Sequence, residues 1–150
     1  MKRYVQIVVL MMLPLTLEAA TFDRQQQQIL QEVNTYRVKH HLKPLVLDAS
    51  LSKEATLHSQ HMAQKTTSFG HAGFQGRIKR LYRHHKECQG GAENVAYYRL
   101  LPTSLVREWI ASRGHRINIE GPYTLTGIGI APANKKGWAY FTQIFLRCSR

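Results

Sequence analysis

The stretch from Trp138 to Leu146 constrains this chain more than any other. Read as a strand, it places Trp138, Tyr140 and Ile144 on one face and Phe141 and Phe145 on the other. A strand that is apolar on both sides must be covered on both sides. Thr126 to Ala131 supplies a partner strand, joined to it through Asn134-Lys135-Lys136-Gly137, a hairpin turn. The segments before this hairpin carry mostly helical periodicity. Helices first, antiparallel strands last and layers on both faces define an α+β fold, a three-layer α-β-α sandwich around a mainly antiparallel sheet.

The helical segments follow in order. Asp23 is placed to cap a helix running to about His40, with Ile29, Val33 and Tyr36 on one stripe and Gln25 to Gln28 as solvated first turns. Leu42-Lys43-Pro44 ends it, and Leu45-Val46-Leu47 is a short extended lead-in. Asp48 or Ser50 caps a second helix to about Lys65, with Leu51, Ala55, His58 and Met62 inward. After a break over Thr66 to Gly70, Gly73 to about Arg83 forms a third helix with Phe74, Ile78 and Leu81 inward. Arg77 shares that inner face, and a buried guanidinium needs a carboxylate partner. Gly90-Gly91 reads as a turn and Glu93 to Tyr98 as a strand. A fourth helix starts at Leu101-Pro102-Thr103, with Leu105, Trp109 and Ser112 on one side, and Gly114-His115-Arg116 follows its end.

The N-terminus reads as a targeting segment. Lys2 and Arg3 precede an apolar run from Tyr4 to Leu17, and Ala19-Ala20 follow. This is the layout of a secretory signal peptide over residues 1–20, cut after Ala19 or Ala20 and leaving a single domain over 21–150. The run is short for a membrane span, and an uncleaved anchor is the alternative. The chain carries a formal net charge of +12, and removing the leader barely changes it. That charge favours acidic partners such as lipid headgroups, anionic envelope polysaccharide or an acidic cell-surface protein, with simple solubilisation as the alternative. The basic residues are scattered and show no aromatic-spaced RNA-binding pattern, which argues against nucleic acid. Cys88 and Cys148 are the only cysteines. In an exported chain they make one disulfide, and two free thiols are the alternative because sequence gives no distance between them.

Three segments carry the chemistry: Phe69-Gly70-His71, Ala92-Glu93-Asn94-Val95-Ala96, and Trp109-Ile110-Ala111-Ser112-Arg113-Gly114-His115-Arg116. Each places its His or Glu where a helix or strand is expected to meet a loop. His58 lies on an apolar stripe and reads as a hydrogen-bonded core histidine. His58 with His61 one turn away forms a weak metal pair, without a third ligand or a HExxH pattern. His84-His85-Lys86-Glu87 reads as a polar loop, with a surface metal patch as its alternative.

Taken together, Leu47-Asp48-Ala49-Ser50-Leu51-Ser52, Gly70-His71, Glu93-Asn94-Val95-Ala96, Gly114-His115-Arg116-Ile117-Asn118, Thr126-Gly127-Ile128-Gly129-Ile130-Ala131 and Tyr140-Phe141-Thr142-Gln143-Ile144-Phe145 resemble the CAP superfamily. This family, also called SCP/TAPS, groups cysteine-rich secretory, antigen 5 and pathogenesis-related 1 proteins, and the resemblance is to its short bacterial branch. It implies an α-β-α sandwich with a central cavity of two histidines and two acids. The histidines fall on His71 and His115 and one acid on Glu93. The second acid position falls near Ser112, so this chain departs from the full tetrad.

Those residues define the expected cavity: His71, Glu93, Ser112, His115 and Arg77. Two imidazoles suit a divalent metal, zinc above all, with Glu93 as third ligand or as the group that orients a histidine. A buried hydrogen-bond network through the same residues is the structural alternative. The resemblance implies a secreted or periplasmic binding or interaction module, expected as a monomer. Its alternative is a metal-assisted hydrolase acting on peptide or cell-envelope material.

Overall fold

The computed structural model describes residues 14–149. Most of the expected leader, residues 1–13, lies outside them, and residues 14–20 continue the backbone of the first helix. The elements are α1 (Pro14–Lys39), β1 (Val46–Leu47), α2 (Ala49–Ala63), α3 (Phe74–His84), β2 (Cys88–Arg99), α4 (Pro102–Ala111), α5 (Arg113–Glu120), β3 (Leu125–Pro132) and β4 (Trp138–Cys148). Among the described residues no helix is long and apolar enough to cross a membrane.

The sheet order is β1-β3-β4-β2, so β4 is internal and β2 is an edge. β3 and β2 pair antiparallel with β4, and the two-residue β1 pairs parallel with β3. The mainly antiparallel sheet expected from the hairpin is present. Its two faces follow the alternation in β4. Ile144 and Leu146 pack with Leu51, Ala55, Ile78 and Leu81 of α2 and α3. Phe141 and Phe145 pack with Ile29, Val33, Leu105 and Trp109 of α1 and α4. Isoleucines Ile128 and Ile130 of β3 join the second cluster, which leaves Gly127 and Gly129 to face α2.

Local chemistry explains the element starts. Asp48 caps α2, its side chain accepting from Ser50 and Leu51 amides at 2.9 Å each. Pro102 occupies the first turn of α4, where no amide donor is needed. Gly73 at φ 76° provides the left-handed entry to α3.

Several expectations are corrected. Asp23 is not a cap, because α1 already starts at Pro14 and runs through it. The glutamines nearby are not simply solvated: Gln26 donates to the Ile128 carbonyl at 2.7 Å and Gln28 to Thr103 at 3.1 Å. Gly90-Gly91 is not a turn. Both residues lie inside β2, where a register irregularity between Cys88 and Gly91 absorbs the left-handed Gly90. Finally, His115 is not in a loop after α4. The backbone turns extended at Ser112 and starts a new helix, α5, which carries His115 in its first turn.

Cys88 and Cys148 form a disulfide between facing residues of β2 and β4. Closing a loop of this length contributes about 4 kcal/mol in the chain-entropy model.

Candidate functional site

Glu93 is the centre of the site. It sits in mid-strand on edge strand β2, not at a junction, and is 5% exposed. Its alternation places the carboxylate on the α2/α3 face. There Arg77 of α3 meets it side-on, Nε to Oε2 at 2.8 Å and Nη2 to Oε1 at 2.8 Å. Arg77 also donates to the Ala72 carbonyl at 2.8 Å. The buried arginine read from the helix spacing thus has its carboxylate. Two charges at this depth are tolerable because both carboxylate oxygens and all three guanidinium nitrogens are hydrogen-bonded.

His71 comes from the loop before α3 and places Nδ1 3.0 Å from Glu93 Oε1. Its side chain is 57% exposed. Glu93 therefore serves a buried arginine on one side and a solvent-facing imidazole on the other. His58 of α2 stands behind them, 2% exposed, with Nε2 2.7 Å from the Gly70 carbonyl and 4.0 Å from Glu93 Oε1. It is a hydrogen-bonded core histidine that fixes the backbone of the His71 loop.

His115 approaches from the opposite layer. Its Nδ1 lies 2.9 Å from Ser112 Oγ, so the serine in the acid's place orients this ring. α5 is tied to the edge of β2 by two asparagines. Asn94 Nδ2 donates to the His115 carbonyl at 3.1 Å. Asn118 Nδ2 donates to Asn94 Oδ1 at 2.8 Å and to the Glu93 carbonyl at 3.2 Å. Asn94 and Asn118 stood in the motif segments, yet sequence reasoning gave them no role; their spacing of 24 residues hides a direct contact.

The structure thus brings His71, Arg77 and Glu93 into one hydrogen-bonded group, and Ser112 with His115 into a second across the strand edge. The ligand atoms of His71, Glu93 and His115 do not come within 4.8 Å of one another as a trio. Among the described residues, the trio that does is His85, Glu87 and Cys88. The His58/His61 pair gains no third ligand either.

Burial favours the neutral form of two imidazoles, the buried His58 and the half-buried His115. Burial pushes His58 below the ordinary histidine range, with Arg77 reinforcing and the Gly70 carbonyl and Glu93 opposing. Burial also lowers His115, with His71 reinforcing and the Val95 backbone opposing. In the unfolded chain each takes up its proton near pH 6.5. Below that pH the unfolded state binds more protons, so stability falls as pH drops from the unfolded value towards the lower folded values. Each histidine contributes a slope of at most about 1.4 kcal/mol per pH unit. Urea unfolding between about pH 7.5 and 5.5 is expected to show this loss, and His58→Gln is expected to flatten it.

A half-exposed aromatic row extends the site along the same sheet face. Phe69, two residues before His71, lies 6.3 Å from Tyr140, which lies 4.9 Å from Tyr97, itself 5.0 Å from Trp138 (ring centroids). Lys135 Nζ sits 4.1 Å from the Trp138 ring centroid and Arg99 at 6.0 Å. The hairpin turn, through Lys135, and the end of β2, through Arg99, thus bring cations to the end of the row.

Comparison with known proteins agrees with this architecture. The profile of the cysteine-rich secretory protein family, CAP, matches residues 30–145. The uncharacterized membrane protein YlbC of Bacillus subtilis is 34% identical over 125 residues, covering 81% of this chain and 34% of that protein. YkwD of the same organism is 32% identical over 124 residues, covering 81% and 46%. The chain therefore spans less than half the length of these curated relatives. An outer surface protein of Borrelia burgdorferi superposes with a TM-score of 0.71 at 17% identity, covering 84% of this chain and 94% of that one. An extracellular SCP-domain protein of Bacillus anthracis gives 0.66 at 28% identity, covering 83% and 41%. With its fold and its family profile in agreement, the chain belongs to the cysteine-rich secretory protein (CAP) family.

Proposed function

We propose that this protein is an exported, non-catalytic interaction module that engages an acidic partner, with a cavity that holds a divalent metal between His71 and His115. The observation that carries the reading is the state of Glu93. Its two oxygens already accept two bonds from Arg77 and one from His71. A carboxylate so engaged orients its neighbours and is poorly placed to take a proton from water. Ser112, in the second acid's position, adds no base of its own.

The residues fit a metal in one particular way. His71 uses Nδ1 on Glu93, which leaves Nε2 as a donor backed by a carboxylate. His115 uses Nδ1 on Ser112 and its ring also hydrogen-bonds the Val95 backbone, so an ion would take the remaining ring nitrogen in place of that bond. Two imidazole nitrogens suit zinc. Glu93 then supports His71 from behind and is not the third ligand. Bound there, the ion would supply Lewis acidity and a fixed positive charge. The chain's own groups hold the two rings in place.

Export is supported by the basic-then-apolar N-terminus and by the disulfide, a bond that persists in oxidising compartments. A place in the periplasm or outside the cell is consistent with the extracellular and outer-surface proteins it resembles. The net charge of +12 and the aromatic row ending in Arg99 and Lys135 fit an anionic surface.

Zinc calorimetry on the wild type and on His71→Ala/His115→Ala tests the cavity. One bound ion in the wild type, lost in the double variant, is the expected result. Retention on an anionic polysaccharide matrix is expected to fall with salt and to survive that double variant. Hydrolysis of peptide or cell-envelope substrates by the wild type, abolished in the double variant, would replace this reading with the metal-assisted hydrolase.

A further inference from the structure

A second group of ligating side chains lies away from the cavity, where α2, α3 and the start of β2 meet. Asp48 Oδ1 caps α2 and also accepts the Ser50 hydroxyl proton at 2.6 Å. Ser50 Oγ in turn lies 2.8 Å from His85 Nε2. With the serine proton committed to Asp48, Nε2 must carry the hydrogen and donate it to Ser50. In the neutral ring that fixes the tautomer. Nδ1 of the neutral His85 then keeps its lone pair, and it faces Glu87 Oε1 at 3.7 Å. Two acceptors therefore look at each other across a gap too wide for a hydrogen bond. The same Glu87 oxygen lies 3.7 Å from Cys88 Sγ, and the three ligand atoms all lie within 4.8 Å of one another.

In the oxidised protein the sulfur here belongs to the Cys88–Cys148 disulfide and is a poor ligand. Reduction changes the donor set. An external dithiol gives up two electrons and two protons and becomes its own disulfide, while the Cys88–Cys148 bond breaks to two thiols. Cys88 and Cys148 face each other in strand register; the Cys148 sulfur lies outside the His85, Glu87 and Cys88 group and would have to swing in once the S–S bond opens. A soft divalent ion displaces the two thiol protons on binding. The resulting set is two thiolates, one imidazole nitrogen and one carboxylate oxygen, four donors each of a kind that binds zinc. The Asp48–Ser50–His85 chain supplies the outer support such ligands usually have.

We propose that the reduced protein holds a zinc-class ion at Cys88, Cys148, His85 and Glu87, so that disulfide and metal are alternative staples on the same end of the β2–β4 pair. The inference is independent of the metal assigned to the His71/His115 cavity.

Cobalt(II) titration of the full chain tests it, with a non-coordinating phosphine as reductant and far-UV circular dichroism to follow the fold. The reduced wild type is expected to take up one equivalent at this site with a thiolate-to-cobalt charge-transfer band in the near ultraviolet. The oxidised protein is expected to lack the band. Cys88→Ser/Cys148→Ser is expected to abolish it. His85→Ala, Glu87→Ala and Ser50→Ala are each expected to weaken binding by about 10-fold or more. His71→Ala/His115→Ala should leave the band unchanged, which separates this site from the cavity. The absence of any charge-transfer band in the reduced wild type would overturn the proposal. So would affinity indifferent to His85→Ala and Glu87→Ala, since that would mean thiolates acting alone, in a folded or an unfolded chain.

Discussion

Glu93→Ala is expected to lower stability by about 3–5 kcal/mol, because it leaves the Arg77 guanidinium buried and unpaired. Arg77 is 5% exposed and donates twice to that carboxylate, with the Ala72 carbonyl as its one further hydrogen-bond partner among the described residues. The loss is large against the roughly 5–15 kcal/mol that holds a domain of this size together, and should lower Tm by about 10 °C or more. Urea and thermal unfolding give the measurement. Arg77→Met/Glu93→Leu is the companion variant. Replacing both charges by apolar groups of similar size removes the uncompensated ion, so the double variant should recover most of the loss. His71→Ala should cost much less, since that ring is largely in water. A Glu93→Ala protein as stable as the wild type would mean that water reaches Arg77 and that the ion pair is not buried in solution.

How much of this was legible from residues alone depends on the range of the interaction that decided it. The two-sided burial of β4 was legible, because period-two alternation is local and Phe141, Phe145 and Ile144 can be assigned to faces by counting. Arg77 was legible for the same reason: helical spacing put it beside Phe74 and Leu81. That its partner is Glu93 required the register of β2 against α3, which no local pattern carries. The start of α1 was misread because Asp23 is as good a cap as it is an exposed interior residue. His115 does follow the end of α4, but the new helix that carries it was not read, since Gly114 is a poor helix former. The break comes at Ser112, and α5 is fixed by Asn118 and Asn94, a contact across 24 residues. Gly90-Gly91 looked like a turn until the pairing of Gly91 with Leu146 and the Cys88–Cys148 disulfide carried the strand past it. The site residues themselves were found through the joint order of motifs. Their division into an Arg77–Glu93–His71 group and a Ser112–His115 group came only from geometry.

Gly129→Ala is expected to lower stability by about 3 kcal/mol or more, the upper end of what overpacking costs. The position is one of two glycines in Thr126-Gly127-Ile128-Gly129-Ile130-Ala131, and both face α2 while Ile128 between them and Ile130 after them face the other layer. A Cβ on Gly129 would overlap the backbone of Ala55 and Thr56, and one on Gly127 the backbone of Leu51 and Ser52. Backbone cannot rotate away as a side chain can, so the whole helix must lift. Lifting α2 would also break the Ser59 bonds to Thr142 at 2.8 Å and to the Gly129 carbonyl at 3.2 Å. It would carry His58 away from Gly70 and Glu93, so the damage reaches the candidate site from the far side of the helix. Gly114→Ala supplies the contrast. A Cβ there meets nothing within 4 Å, and the residue lies in α5. That substitution should stabilise by about 0.5–1 kcal/mol through the helix preference for alanine. Thermal unfolding of the two variants side by side should move Tm in opposite directions. If both moved it by the same small amount, α2 would not rest on β3 through its glycines, and the close approach that positions His58 would have to come from elsewhere.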